Sequence, residues 1–336
     1  MDKINHATKM TSLEHGALWT QYINDSLSRC MLRYFNNHVK DEDIKEVLQY
    51  ALGLAENHLE KIKNFFTQEG YPIPHGFTDE DVTVDAPPLF TDTYMLVYLQ
   101  TMAIHGMTRY SGAVGVSLRE DQRKHFIECC TITMELYNRT TNILLHKGII
   151  SKPPIFNNEQ KVDYVREQNF LKGWFGKRRP INAIEISGAY INMQKNMVKV
   201  VLELGFSQVT QSKEVRDYME RSRKLCEKHF STLASMLKEA NLNAPRTFES
   251  EVTDSTVAPF SDKLMLYHIT TLVSAAAAYF GEALSVSQRR DLAADYALMI
   301  SEISLLAEDG ANLLIKNGWM EQPPSPPDRE RLAKNK

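Results

Sequence analysis

Pro259-Phe260-Ser261-Asp262-Lys263-Leu264-Met265-Leu266 decides the fold, because Leu89-Phe90-Thr91-Asp92-Thr93-Tyr94-Met95-Leu96 writes the same pattern 170 positions earlier. The offset holds downstream. Ser117-Leu118-Arg119-Glu120-Asp121 returns as Ser287-Gln288-Arg289-Arg290-Asp291, and Lys147-Gly148 with Pro153-Pro154 returns as Asn317-Gly318 with Pro323-Pro324. Upstream the offset is 171: Leu13-Glu14 matches Ile184-Glu185, and Glu56-Asn57-His58 matches Glu227-Lys228-His229. One deletion between Phe248 and Val252 accounts for the change. The chain is one unit of roughly 150 residues written twice.

Each unit reads as four long helices. Residues 12–37 start at a Ser12 N-cap and carry Leu13, Ala17, Trp19, Ile23, Leu27, Met31 and Tyr34 at helical spacing. A second helix over 43–68 carries Val47, Ala51, Leu54, His58, Ile62 and Phe65, and Gly70-Tyr71-Pro72 stops it. A long crossover rich in Asp and Pro leads to a third helix from Asp92 to about Gly115, and a fourth runs from Ser117 to Lys147-Gly148. The second unit repeats this plan at 183–206, 212–240, 261–284 and 287–317. Short turn, long crossover, short turn is the connectivity of a ferritin-like bundle. The expected fold is all-α: two tandem ferritin-like four-helix bundles related by internal duplication. The expected divisions are 1–155 for the first bundle, 156–182 for a linker, 183–325 for the second bundle and 326–336 for a mobile tail.

Composition narrows the function classes. The 336 residues are 43% hydrophobic and 24% charged, as in an ordinary globular protein. A net charge of −3 gives no general attraction to nucleic acid or an anionic membrane. No apolar run approaches the roughly 20 residues of a membrane span, and Met1 to His6 has no signal-peptide core. Cys30, Cys129, Cys130 and Cys226 lack metal-finger spacing and form no disulfide framework. A cytoplasmic setting is expected. No phosphate loop, nucleophile elbow or dinucleotide fingerprint is present.

The phrases GFTDEDV, APPLFTDTYMLVYL, NFLKGWFGKRRPINAIEI, LGFSQV, PFSDKLMLYHITTL and AEDGANLLIKNGWMEQPP resemble a tandem-repeat family of endospore-forming bacteria. Its members are of unknown function and often labelled spore-coat-protein-like. The resemblance runs from about Leu13 to Pro324. It implies two ferritin-like bundles, a distant relationship to spore coat protein F, spore association, and spore-coat partners or a homo-oligomer. It implies no established activity. Relatives commonly carry a histidine where this sequence has Gly188.

A ferritin-like core can hold a metal when carboxylates and histidines project inward from all four helices. Glu56-x-His58 and Glu227-x-His229 place their pairs about 200° apart around a helix, which disfavours the usual di-iron centre. The second unit still offers a set. His229 steps with Val215, Ser222, Leu225, Leu233 and Met236; His268 steps with Leu264, Leu272, Ala275 and Tyr279; Glu302 steps with Leu298, Leu305 and Leu313. Within each helix pair the levels agree to about 3 Å. His229, His268 and Glu302, with Glu185 as a weak fourth ligand and Gly188 as an open position, would suit one Fe, Zn or Mn ion. The competing reading is a buried His–Glu polar pair that needs no metal. In the first unit the equivalents of Gly188, His229, His268 and Glu302 are Ala17, His58, Tyr98 and Ile132. That unit is expected to be structural, with His58 bonded to Tyr98.

Other constellations have plainer readings. Phe170, Trp174 and Phe175 with Lys172, Lys177, Arg178 and Arg179 suggest an aromatic plug between the bundles with solvated cations. Asp79-Glu80-Asp81 and Asp85 lack the pattern of a calcium loop and read as a solvated acidic crossover. Ser117 and Ser287 read as helix caps, as do Thr91-Asp92 and Ser261-Asp262 beside a packed Phe. Cys129 and Cys130 read as core and rim. Two functions remain: a non-enzymatic structural or interaction protein, and a metal-binding protein or oxidase using the second bundle.

Overall fold

The computed structural model describes residues 9–156, 162–174, 176 and 178–334. Among the described residues the architecture is all-helical. The first unit contains α1 (Ser12–His38), α2 (Glu42–Glu69), α3 (Asp92–Val116) and α4 (Glu120–His146). The second contains α5 (Ala183–Val209), α6 (Lys213–Glu239), α7 (Asp262–Val286) and α8 (Arg290–Lys316), and a short α9 (Arg329–Lys334) follows. Each unit pairs its first two and last two helices across a long crossover, giving two tandem bundles.

The duplicated phrase caps α3 and α7. Thr91 and Ser261 accept from the backbone N–H groups of Tyr94 and Leu264, while Phe90 and Phe260 are buried. Asp92 accepts from the N–H groups of Lys40 and Asp41, and Asp262 from those of Gln211 and Ser212, so each also closes the preceding turn. Ser117 and Ser287 differ from expectation. Their hydroxyls donate back to the carbonyls of Ala113 and Ala283, and the N-caps of α4 and α8 are Arg119 and Arg289, without a side-chain cap. Thr11, rather than Ser12, caps α1.

The two units interlock. Val82 bridges Phe260, and its counterpart Val252 bridges Phe90. The Thr83 N–H donates to the Pro259 carbonyl at 2.8 Å, and the Thr253 N–H to that of Leu89 at 3.0 Å. The Ser261 hydroxyl donates to Asp81 and the Thr91 hydroxyl to Glu251, both at 2.6 Å. Each contact has a partner with the units exchanged, which is the signature of an approximate two-fold axis. The acidic crossover is therefore bound, not merely solvated: Asp81 joins the other unit and Asp79 pairs with Arg29 and Arg33.

Beyond each bundle's last helix the chain reaches across again. Glu321 accepts from the His75 and Gly76 N–H groups, and Ser151 accepts from the Arg246 N–H. One hydrophobic core runs through both units. Rings carry it over the boundary: Tyr34 meets Phe260 at 5.1 Å and Phe90 meets Phe206 at 6.2 Å. Gly205 allows this approach, since a Cβ there would stand 2.7 Å from the Phe90 ring.

The linker lies on the second unit. Arg178 pairs with Glu239 and Asp291, Arg179 pairs with Glu185 and stacks on Phe170, and Trp174 is half exposed. The expectation of solvated cations fails at these arginines because three carboxylates converge there. Phe175 and Lys177 lie outside the described residues. Among the described residues α7 is the one helix long and apolar enough to cross a membrane. In this fold it packs on α5 and α8.

Candidate functional site

The four residues singled out in the second unit separate into three places. His229, on α6, is buried, and its Nε2 lies 2.8 Å from Oε2 of Glu302 on α8. Lys228 binds the other oxygen of Glu302. Burial holds His229 below the usual imidazole range, with Glu302 acting in the opposite sense. Burial alone would raise Glu302, but Lys228 and His229 hold it below the usual carboxylate range. The pair is a hydrogen-bonded contact at the bundle rim, because the core face of α8 is carried by Tyr296, Met299, Ile303 and Leu306. Leu298 and Leu305, expected beside Glu302 in the core, are mostly exposed.

His268 points into the core but away from His229. Its Nε2 lies 3.3 Å from the Tyr98 hydroxyl of the first unit. Burial lowers its pKa to about 3, so the ring is neutral. Glu185 is a cap. It closes a capping box with Asn182, accepts from the N–H groups of Gln288 and Arg289, and takes a two-pronged ion pair from Arg179 at 2.8 Å. Its counterpart Glu14 makes the same box with Thr11 and accepts from Leu118 and Arg119. Burial pushes Glu185 up, and Arg179 and the backbone donors outweigh it, leaving the carboxyl below its ordinary range.

The position at Gly188 is not open. A Cβ there would meet the Ala283 Cβ at 3.0 Å, because α7 crosses α5 closely at this level. So His229 and Glu302 come together, whereas His268 and Glu185 are engaged elsewhere. Among the described residues no group of three or more His, Cys, Asp or Glu side chains is arranged to hold a metal.

The denser polar cluster lies in the first unit, around His58. His58 Nδ1 is 3.2 Å from Oδ2 of Asp25, and its Nε2 is 3.4 Å from Sγ of Cys129. The Tyr110 hydroxyl donates to the other Asp25 oxygen at 3.2 Å. His125 Nε2 lies 2.9 Å from Oε1 of Gln21, whose amide donates to Cys129. Desolvation opposes protonation of His58, but its bonds to Asp25 and Cys129 prevail and raise its pKa to about 10. His125 goes the other way, to about 4, through burial and the charge on His58. The arrangement is an acid–imidazole–sulfur line that favours the protonated form of His58. A cavity of about 90 Å³ touches Asp25, His58 and Tyr110.

Sequence reasoning expected His58 to meet Tyr98 and treated Cys129 as plain core. The available signal was spacing: Gln21 and Asp25, like His125 and Cys129, are four residues apart and share a helix face.

The sequence profile of a family described as "Protein of unknown function (DUF3231)" matches residues 1–162 and again 169–332. The chain belongs to that family. The two matches coincide with the two interlocked units. Among curated proteins no relative matches this chain. A crystal structure of a "putative spore coat protein" from Bacillus halodurans C-125 is similar, with 20% identity and a TM-score of 0.42. It covers 45% of this chain and 98% of its own length.

Proposed function

We propose that this family member is a non-enzymatic structural or interaction protein, associated with the spore of an endospore-forming bacterium and descended from a ferritin-like bundle. The interlock carries the reading. Crossovers, straps and aromatic rings are exchanged so completely that the two units form one stiff body, which suits a scaffold. Two of the residues that looked most like ligands support it, since Glu185 holds helix ends and His268 ties the units together. The test is complementation in a strain lacking the chain, with spores fractionated in parallel. Recovery of the protein in the coat fraction, and full rescue by His58→Ala and His229→Ala variants that still fold, would support the proposal. Confinement to vegetative extract, or loss of rescue by a folded variant, would overturn it.

The 2.8 Å contact between His229 and Glu302 favours a second reading: one Fe, Zn or Mn ion bound in the second unit by a set that begins with these two side chains. Elemental mass spectrometry on untagged protein decides it. Near-stoichiometric metal that disappears in His229→Ala supports the reading, and protein that stays metal-free after incubation with each ion sinks it.

A further inference from the structure

A second cavity, between the units, has the opposite polarity to the one beside His58. Asn196 and Lys199 stand where the first unit has Asp25 and Ser28. On α5, Asn192, Lys195, Asn196 and Lys199 share one face by their spacing of three and four. They line a cavity of about 20 Å³ together with His105 of α3 and Tyr279 of α7. Lys199 and Asn196 are each 3% exposed.

The donors here lack oxygen or nitrogen acceptors, and Lys199 leans on the Cys226 thiol. Lys195 Nζ, Lys199 Nζ and Asn196 Nδ2 are buried without a hydrogen-bond partner. Lys195 rests over the face of the Tyr279 ring, and the Tyr279 hydroxyl lies 3.1 Å from Nδ1 of His105. Glu203, one turn beyond Lys199, and Glu282, towards Lys195, attract the lysines at a distance, but neither forms an ion pair with them. Glu203 is occupied in part by the Ser222 hydroxyl. Burying an unpaired ammonium costs several kcal/mol. Burial lowers Lys195 to about 7 and also lowers His105, to about 3, with Lys195 and Arg109 adding to the effect. The cavity is electropositive, rich in donors and poor in acceptors.

We infer that this cavity, at the junction of α3, α5 and α7, is a binding site for a small inorganic monoanion of halide size, held by Lys195, Lys199 and the Asn196 amide. Its volume sets the size, since one water-sized occupant needs about 10–15 Å³ by the same measure. A single ion accepts from all three donors and offsets both charges. Because α3 belongs to the first unit and α5 and α7 to the second, the ion fastens the units together.

The experiment uses the full chain, exchanged into sodium gluconate and titrated with chloride at constant ionic strength while thermal unfolding is followed. Tm rises by several degrees and saturates. Lys199→Ser, which installs the residue of the equivalent place in the first unit, abolishes the rise. Asn196→Leu, which keeps both charges, shifts half-saturation several-fold upwards and guards against a Lys199 variant that fails to fold. Crystals soaked in bromide show anomalous density between the two ammonium groups. Equal Tm in chloride and gluconate, or a chloride response in Asn196→Leu identical to that of the parent, would mean that the cavity holds water only and would overturn the inference.

Discussion

The Tyr98 hydroxyl lies 3.3 Å from Nε2 of His268, and each of these residues occupies in its own unit the place the other occupies in its partner. The contact straddles the approximate two-fold axis, where two copies of one side chain would otherwise face each other. Phenol and imidazole are complementary there. The neutral histidine and the phenol can each donate or accept, so one hydrogen bond joins them.

Tyr98→Phe removes the hydroxyl and leaves a buried imidazole nitrogen unpaired. The expected loss is about 1–3 kcal/mol, read from urea unfolding. Adding His268→Phe should recover part of it, because no polar group then remains stranded at the axis. A single variant as stable as the parent would show that the contact is not formed.

The two capping glutamates should differ in worth. Glu14→Ala strands the N–H groups of Leu118 and Arg119 and should cost about 1–3 kcal/mol. Glu185→Ala also strands Arg179 and should cost more, about 3–5 kcal/mol. Urea midpoints of the two variants check the order. The same variants should leave any bound metal unchanged, since both carboxylates are occupied by caps.

Gly205→Ala places a methyl group 2.7 Å from the Phe90 ring. Overpacking at this boundary between units should cost about 1–3 kcal/mol, visible as a lower Tm. Replacing Phe90 with Leu in the same chain should relieve part of the clash.

His58 provides a pH signature. Its folded pKa, about 10, lies above the unfolded value of 6.5, so the folded state holds the extra proton between them. The stabilisation is fully present below pH 6.5 and is lost as pH rises towards 10. Lys195, lowered to about 7 from 10.5, contributes in the opposite sense over part of this range. The useful quantity is therefore the difference between the parent and Asp25→Asn, which removes the carboxylate that holds the proton on His58. That difference should shrink steadily between pH 6.5 and 9. A difference that stays constant would show that His58 is not charged in the fold.

Much of this architecture was legible in the residues. The repeat offset located every long helix, and the caps at Thr91 and Ser261 followed from hydroxyl, acid and neighbouring Phe. Phase was harder. Helical spacing puts Leu298 and Leu305 on the core face of α8, yet Tyr296, Met299 and Ile303 carry it, and an exposed leucine looks the same as a buried one in sequence. Direction failed at α7 for a related reason. A helix packed on several sides has no single apolar stripe, so inward did not say whether His268 faced His229 or Tyr98. The exchange of crossovers joins residues more than 150 positions apart through loops, where periodicity carries no information.

The reciprocal bridges of Val82 with Phe260 and Phe90 with Val252 also bear on why the unit is written twice. A chain holding one unit could close such bridges only by pairing with a twin, and both interiors would then be obliged to match. Fusion lifts that obligation. It makes an obligate heterodimer of fixed stoichiometry in a single polypeptide, in which one half keeps Asp25 and Ser28 where the other keeps Asn196 and Lys199, with no mismatched assemblies to sort out.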